Sequence, residues 1–230
     1  MPSIGKVKAA EAALAEVKDG QLLGIGTGST VAIFLELLGD RIKREGLKIM
    51  GVPTSYQSAY LAADRGIRLT TLDEHPRLDL AVDGADEVDQ DLNLIKGGGA
   101  ALAREKVVDS SARRFVVIAD ESKLVASLGS KMPVPVEVLP FARAGVLQRI
   151  KILGGSPSVR DGGDRKDGPL ITDNGNFIVD VKFQEIKDPR ALEVELKRIA
   201  GVVDVGIFVN MAHTAYLGNN EGVKRIDRKH

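Results

Sequence analysis

Through the first 120 residues, short apolar runs alternate with stretches of helical periodicity, and this alternation limits the fold more than any other feature. The runs are Leu22-Leu23-Gly24-Ile25, residues 47–52 and 67–72, Leu78-Asp79-Leu80-Ala81-Val82, and Phe115-Val116-Val117-Ile118-Ala119. Between them, residues 4–18 set Val7, Ala10, Leu14 and Val17 at helical spacing, and further helices are predicted over 30–43, 55–65 and 99–110. Strands alternating with helices of about ten to fifteen residues imply βαβ units, hence a mainly parallel sheet covered on both faces.

The texture changes near residue 130, where Pro133, Pro135 and Pro140 punctuate the chain. A helix over 141–153, a Gly/Asp/Arg/Lys-rich loop at 160–168, a helix over 189–200 and a strand Val202–Val209 follow. Thr172-Asp173-Asn174-Gly175-Asn176 is predicted to be a hairpin turn of type I′, because Asn-Gly readily takes positive φ. Residues 130–202 are therefore expected to form a small inserted α+β domain, with 1–129 and 203–230 making the larger α/β domain.

Charge and composition exclude several classes. Lys plus Arg and Asp plus Glu are 32 each, so no basic excess points to a nucleic-acid partner. With no Cys, thiolate metal sites, disulfides and cysteine catalysis are excluded. Residues 20–39 carry one charge, Glu36, but Gly24, Gly26 and Gly28 interrupt them, so they read as strand, turn and helix rather than a membrane span. Glu11 and Glu16 break the alanine-rich N-terminal stretch, which argues against a signal peptide, and the absence of Cys agrees with a cytoplasmic location.

Three constellations carry chemistry. The first, Gly24-Ile25-Gly26-Thr27-Gly28-Ser29-Thr30, joins a strand to a helix. Glycines allow close backbone approach, and free N–H groups at a helix start attract an anion such as phosphate. A dinucleotide site is excluded because the third fingerprint glycine falls on Ser29. The plain structural alternative is a tight turn with Ser29 as helix N-cap.

The second, Asp83-Gly84-Ala85-Asp86-Glu87, ends the strand 78–82, where open parallel sheets bind ligands. Its carboxylates suit sugar hydroxyls, although Asp83 capping a turn and a solvated acidic loop stay open. Asp89, Asp91 and Asn93 imitate a calcium loop, but Leu94 and Ala100 occupy its required Gly and Glu positions. The third is Lys96-Gly97-Gly98-Gly99 followed by Glu105: a nest of N–H groups able to stabilise an oxyanion, a cation at its edge, and a carboxylate on the next helix. The bland reading of Glu105 is an exposed glutamate paired with neighbouring cations. His75, His213 and His230 show no metal-ligand spacing.

GIGTGST at 24–30, DGADEVD at 83–89 and KGGGAALAREK at 96–106, in that order, closely resemble type A ribose-5-phosphate isomerase, as do TDNGN at 172–176 and GVVDVGIFVNMA at 201–212. The resemblance implies a Rossmann-like α/β domain with an inserted α+β domain, a homodimer or homotetramer, and no metal or cofactor. It implies interconversion of ribose 5-phosphate and ribulose 5-phosphate through a cis-enediolate, in the non-oxidative pentose phosphate pathway. The substrate-binding residues it implies are Thr27, Gly28, Ser29, Thr30, Gly84, Ala85, Gly97, Gly98, Gly99 and Lys123; the catalytic ones are Glu105, Asp83, Asp86 and Lys96. The loop 160–168 is longer than the family pattern and is expected to lie away from these motifs.

Two other classes compete. A sugar-phosphate-sensing module would share the fold but would not require Glu105. A coenzyme A transferase uses a glutamate nucleophile after a similar turn, and the DGADE motif disfavours it.

Overall fold

β4 (Leu78–Asp83) and β7 (Ala112–Asp120) run side by side in parallel within a seven-stranded sheet. Leu80-Ala81-Val82 of β4 and Phe115–Ala119 of β7 are continuous buried apolar runs, as expected where a strand is covered on both faces. On one side of them lie β1 (Leu22–Ile25), β2 (Met50–Pro53) and β3 (Arg68–Leu69), all parallel. On the other lies β13 (Thr214–Gly218), parallel to β7 and followed by the antiparallel edge strand β14 (Val223–Asp227). The structure is a computed structural model and describes residues 3–164 and 166–229.

This sheet belongs to the first of two compact units, made of the chain up to Ala85, then Arg104–Leu124, then Met211 onward. α1 (Ile4–Leu14) buries Ala9, Ala10 and Ala13; α2 (Ser29–Glu45) buries Phe34, Leu35 and Leu38. They share a core with Leu23, Ile25, Leu80, Val82, Val116 and Ile118. α3 (Tyr56–Asp64) starts at Ser55, whose hydroxyl accepts the N–H of Ser58 while Ser58 answers the N–H of Ser55, a reciprocal cap.

The second unit comprises Asp86–Ala103 and Val125–Asn210. Segment 130–202 lies inside it, and residues 86–103 join it as well. β8 (Val134–Val138), β9 (Ser156–Val159), β10 (Phe177–Lys182) and β11 (Val202–Val205) form an antiparallel sheet in the order β11-β8-β10-β9. α5 (Arg143–Ile152) and α6 (Pro189–Lys197) contribute Val146, Ile150 and Leu196 to a core with Val134, Val136 and Val138. β5 (Glu87–Val88), β6 (Leu94–Ile95) and β12 (Ile207–Phe208) make a three-stranded sheet.

Several elements differ from the sequence reading. The strand expected at Val202–Val209 is two strands in different sheets, broken at Gly206, whose backbone lies against Lys96 and Pro135. The helix expected from residue 99 begins only at α4 (Leu102–Ser110), because Ala100 takes φ +60° in a turn instead. The TDNGN turn is not type I′: Gly175 alone among these residues has positive φ, and its N–H donates to Thr172 O at 2.9 Å. The N–H of Thr172 donates in turn to Asn176 O at 2.9 Å, the pattern of a longer hairpin loop with glycine in the left-handed position. Arg165 of the loop 160–168 and His230 lie outside the described residues. No helix among the described residues is long and apolar enough to cross a membrane.

Candidate active site

In the first unit, the glycine turn wraps a carboxylate. Asp83 ends β4 fully buried, and its Oδ1 accepts the N–H of Thr27 at 3.0 Å and of Gly84 at 2.6 Å. A Cβ on Gly26 would fall 2.1 Å from the Asp83 carboxyl and 2.6 Å from its Cα, so only glycine permits this approach. The Thr27 hydroxyl is tied to those of Thr54 and Ser55 at 2.7 and 2.8 Å, which links the ends of β1 and β2.

α2 begins at Ser29, with Gly28 at the N-cap in φ +116° and no side chain capping the first turn. Ser29 is therefore not the N-cap that sequence allowed; it is exposed, and its hydroxyl accepts Lys6 Nζ at 3.0 Å. Thr30 is buried behind it. A helix start whose N–H groups lack a side-chain cap, beside a lysine and two hydroxyls, suits an anion. Lys6 carries no motif, and sequence reading missed it; it reaches Ser29 only because α1 packs beside α2.

Lys123 closes a short 3-10 turn, Glu121–Lys123, whose N-cap is Asp120 at the end of β7. The Ser122 N–H, together with its hydroxyl, holds the Asp120 carboxyl below its ordinary range, and Ser3 and Lys6 add to that effect. Glu105 lies in the first turn of α4 and is 4% exposed, which rules out the bland reading of a solvated surface glutamate. Its neighbour Arg104 sets its guanidinium 5.1 Å from the Tyr56 ring centroid.

In the second unit, Asp86 and the lysine-glycine turn come together. The Gly98 N–H donates to Asp86 Oδ2 at 2.7 Å, and a Cβ on Gly98 would meet that carboxylate at 2.7–3.0 Å. Lys96 is 2% exposed, with Nζ 5.5 Å from the Phe208 ring centroid and its N–H donated to Gly206 O. Gly97 has φ +109°, while Gly98 and Gly99 are exposed. The loop 160–168 does not lie away from this motif: Arg160 at its start donates Nη1 to Gly97 O at 2.9 Å and to Gly98 O at 3.0 Å.

Other acids are occupied structurally. Buried Glu87 accepts the N–H groups of Gly129, Lys131 and Met132 at 2.6–2.8 Å and so holds the entry to β8. Asp89 accepts from the backbone of Asp91 and Asn93 and from the Asn93 amide, making a self-contained turn rather than a cation loop. Among the described residues no group of three His, Cys, Asp or Glu could hold a metal ion. His213 Nδ1 accepts the N–H of Phe115, a structural role.

A parallel sheet with a buried aspartate ending β4 under a glycine turn places this chain in the class of α/β proteins that bind ligands beyond the carboxyl ends of their strands. The family model of ribose 5-phosphate isomerase A (phosphoriboisomerase A) matches residues 50–222. The ribose-5-phosphate isomerase A of Methanosarcina acetivorans is 57% identical over 94% of this chain and 90% of its own. A solved ribose 5-phosphate isomerase A from Methanocaldococcus jannaschii is 48% identical, covers 96% of this chain and 97% of that one, and superposes with a TM-score of 0.93. Another solved structure, a D-ribose-5-phosphate isomerase in complex with phospho-erythronic acid, gives 0.95 at 48% identity, covering 99% of this chain and 100% of that one. The chain belongs to the ribose 5-phosphate isomerase A family. That membership displaces the sensing-module and coenzyme A transferase alternatives.

Proposed function

We propose that this chain interconverts D-ribose 5-phosphate and D-ribulose 5-phosphate with Glu105 as the proton-carrying base. The burial of Glu105 carries the reading: its carboxylate is withdrawn from water, as is that of Asp109 further along α4, and it follows a three-glycine turn by six residues. Such a group suits proton transfer at carbon, which needs a positioned base and no competing solvent.

Glu105 removes the proton on C2 of the open-chain aldose. The C–H electron pair becomes the C1=C2 bond, and the carbonyl pair moves onto O1. Lys96 and the N–H groups of Gly97 and Gly99 stabilise the charge on the cis-enediolate oxygens, while the Gly98 N–H holds the Asp86 carboxylate beside the substrate. The O2 proton passes to O1, the O2 carbonyl forms, and Glu105 returns its proton to C1. Asp83 and Asp86 orient the hydroxyls and assist ring opening, with Gly84 and Ala85 linking them within four consecutive residues. Thr27, Gly28, Ser29, Thr30 and Lys123 bind the phosphate, and the bond from Lys6 to Ser29 adds Lys6 to that set.

We further propose that residues 1–129 and 203–230 carry this chemistry as the catalytic domain, with 130–202 as the insert. The protein works in the cytoplasm as a homodimer or homotetramer, within the non-oxidative pentose phosphate pathway, without metal or cofactor, nucleic acid or membrane. The test is to incubate purified protein with ribose 5-phosphate in excess EDTA and follow ribulose 5-phosphate. Turnover is expected; its absence, with or without added divalent metal, overturns the reading.

A further inference from the structure

We infer that Arg160 is a positioning residue for isomerisation: it sets the peptide planes of the Gly97-Gly98-Gly99 turn, with Asp180 holding its guanidinium in place. The inference rests on the functional reading above, because it concerns the amides proposed to stabilise the enediolate.

Arg160 leaves the sheet from a fixed point. Its own N–H donates to Ile178 O at 2.8 Å, and its carbonyl accepts from Leu170 at 2.9 Å. The guanidinium then divides its donors. Nε and Nη2 bind the two oxygens of Asp180 at 2.8 and 2.6 Å, and Nη1 bridges Gly97 O and Gly98 O at 2.9 and 3.0 Å. The side chains of Arg160 and Asp180 are only 17% and 23% exposed, so the pair is largely shielded from solvent exchange.

A trans peptide is planar, with its C=O and N–H pointing opposite ways. Fixing the Gly97 carbonyl therefore fixes the direction of the Gly98 N–H, which meets Asp86 Oδ2 at 2.7 Å. Fixing the Gly98 carbonyl likewise aims the Gly99 N–H away from Arg160. The turn needs such restraint. Glycines do not hold their own dihedrals, and Ala100 at φ +60° sits in the left-handed region that a side-chain-bearing residue rarely adopts. A cation on the carbonyl side also polarises each peptide, which strengthens its N–H as a donor. Only a planar fork can bind a carboxylate with two nitrogens and still bridge two carbonyls with the third, so lysine cannot replace arginine here.

The experiment compares Arg160→Ala, Arg160→Lys and Asp180→Asn with the wild-type chain. It measures kcat and KM for ribose 5-phosphate, inhibition by phospho-erythronic acid, whose carboxylate stands in for the enediolate, and inhibition by inorganic phosphate. A donor displaced by about an ångström costs up to about 10²-fold, so Arg160→Ala should lower kcat by about ten- to hundredfold with KM nearly unchanged. Inhibition by phospho-erythronic acid should weaken by a similar factor while inhibition by phosphate stays constant, and Arg160→Lys should recover only part of the loss. Unchanged kcat in Arg160→Ala, or equal weakening of both inhibitors, overturns the inference. Should Arg160→Ala not fold, wild-type kcat in both Arg160→Lys and Asp180→Asn does the same. If the wild-type chain does not turn over ribose 5-phosphate, it is the functional reading that has failed, not the role of Arg160.

Discussion

Asp83 and Gly26 stand so close that a methyl group on the glycine would lie 2.1 Å from the aspartate's carboxyl carbon. The carboxylate cannot retreat, because it ends a buried strand and accepts two backbone N–H groups. Gly26→Ala should therefore displace either the turn or Asp83. Overpacking of this kind costs about 1–3 kcal/mol, and a lowered melting temperature together with an activity loss of tenfold or more is expected. Thermal unfolding and steady-state kinetics on one preparation check it; a fully active, equally stable variant would show that the turn is more compliant than this contact implies.

Replacing the buried base is the direct test of chemistry. Glu105→Gln keeps shape and hydrogen bonding but cannot accept the carbon-bound proton, so kcat should fall by about 10²–10⁴-fold with substrate binding still detectable. Near-normal turnover would remove Glu105 from the mechanism.

Phosphate binding should separate from chemistry. A hydrogen bond to a charged group is worth about 1.5–3 kcal/mol, so Lys6→Ala and Lys123→Ala should each raise KM about tenfold or more while sparing kcat. A loss confined to kcat would assign these lysines elsewhere.

The flank of the large sheet should respond to acid. Arg114 binds Glu16 through Nε and Nη2 at 2.6 and 2.9 Å, and the Tyr216 hydroxyl donates to the same carboxylate at 2.7 Å. Arg114 is the main reason the Glu16 carboxyl titrates below its ordinary 4.5, against the opposing effect of burial, with Tyr216 assisting. A depressed folded-state value gives stability that is present above 4.5 and lost as pH falls through the lower folded value. Urea denaturation of wild type should thus show a steeper loss between neutral pH and pH ~3.5 than Glu16→Gln shows. Parallel curves would mean the ion pair does not contribute.

In the second unit, the TDNGN loop has a structural task. The Thr172 hydroxyl and the amides of Asn174 and Asn176 all donate to Oε1 of Glu137, which is fully buried on β8, at 2.8–3.0 Å. Asn176→Ala removes a buried donor and should destabilise by about 1–3 kcal/mol in urea titration without changing KM.

What could be read from residues alone follows from how local each cause is. The parallel strands were legible because β4 and β7 are apolar runs, and the three motifs because glycine spacing and carboxylates sit within a few residues of one another. Glu137 with the TDNGN loop, Lys6 with Ser29, and Arg160 with Gly97 were not legible: their partners lie 35–39, 23 and 62–63 residues apart, and no periodicity encodes them. The break at Gly206 was hidden for another reason. Val202–Val209 is apolar throughout apart from Asp204 and the glycine, and only the backbone crowding at Gly206 divides it.

β13 sits between β7 and β14, yet residues 121–213 separate β7 from it along the chain. As the chain leaves the ribosome, the open edge of β7 must wait until everything through Gly218 has emerged. Until then the nascent protein presents a long apolar strand with unpaired amides, the kind of surface that recruits chaperones or another copy. Stalled translation anywhere in that interval would leave an aggregation-prone fragment rather than a smaller working enzyme.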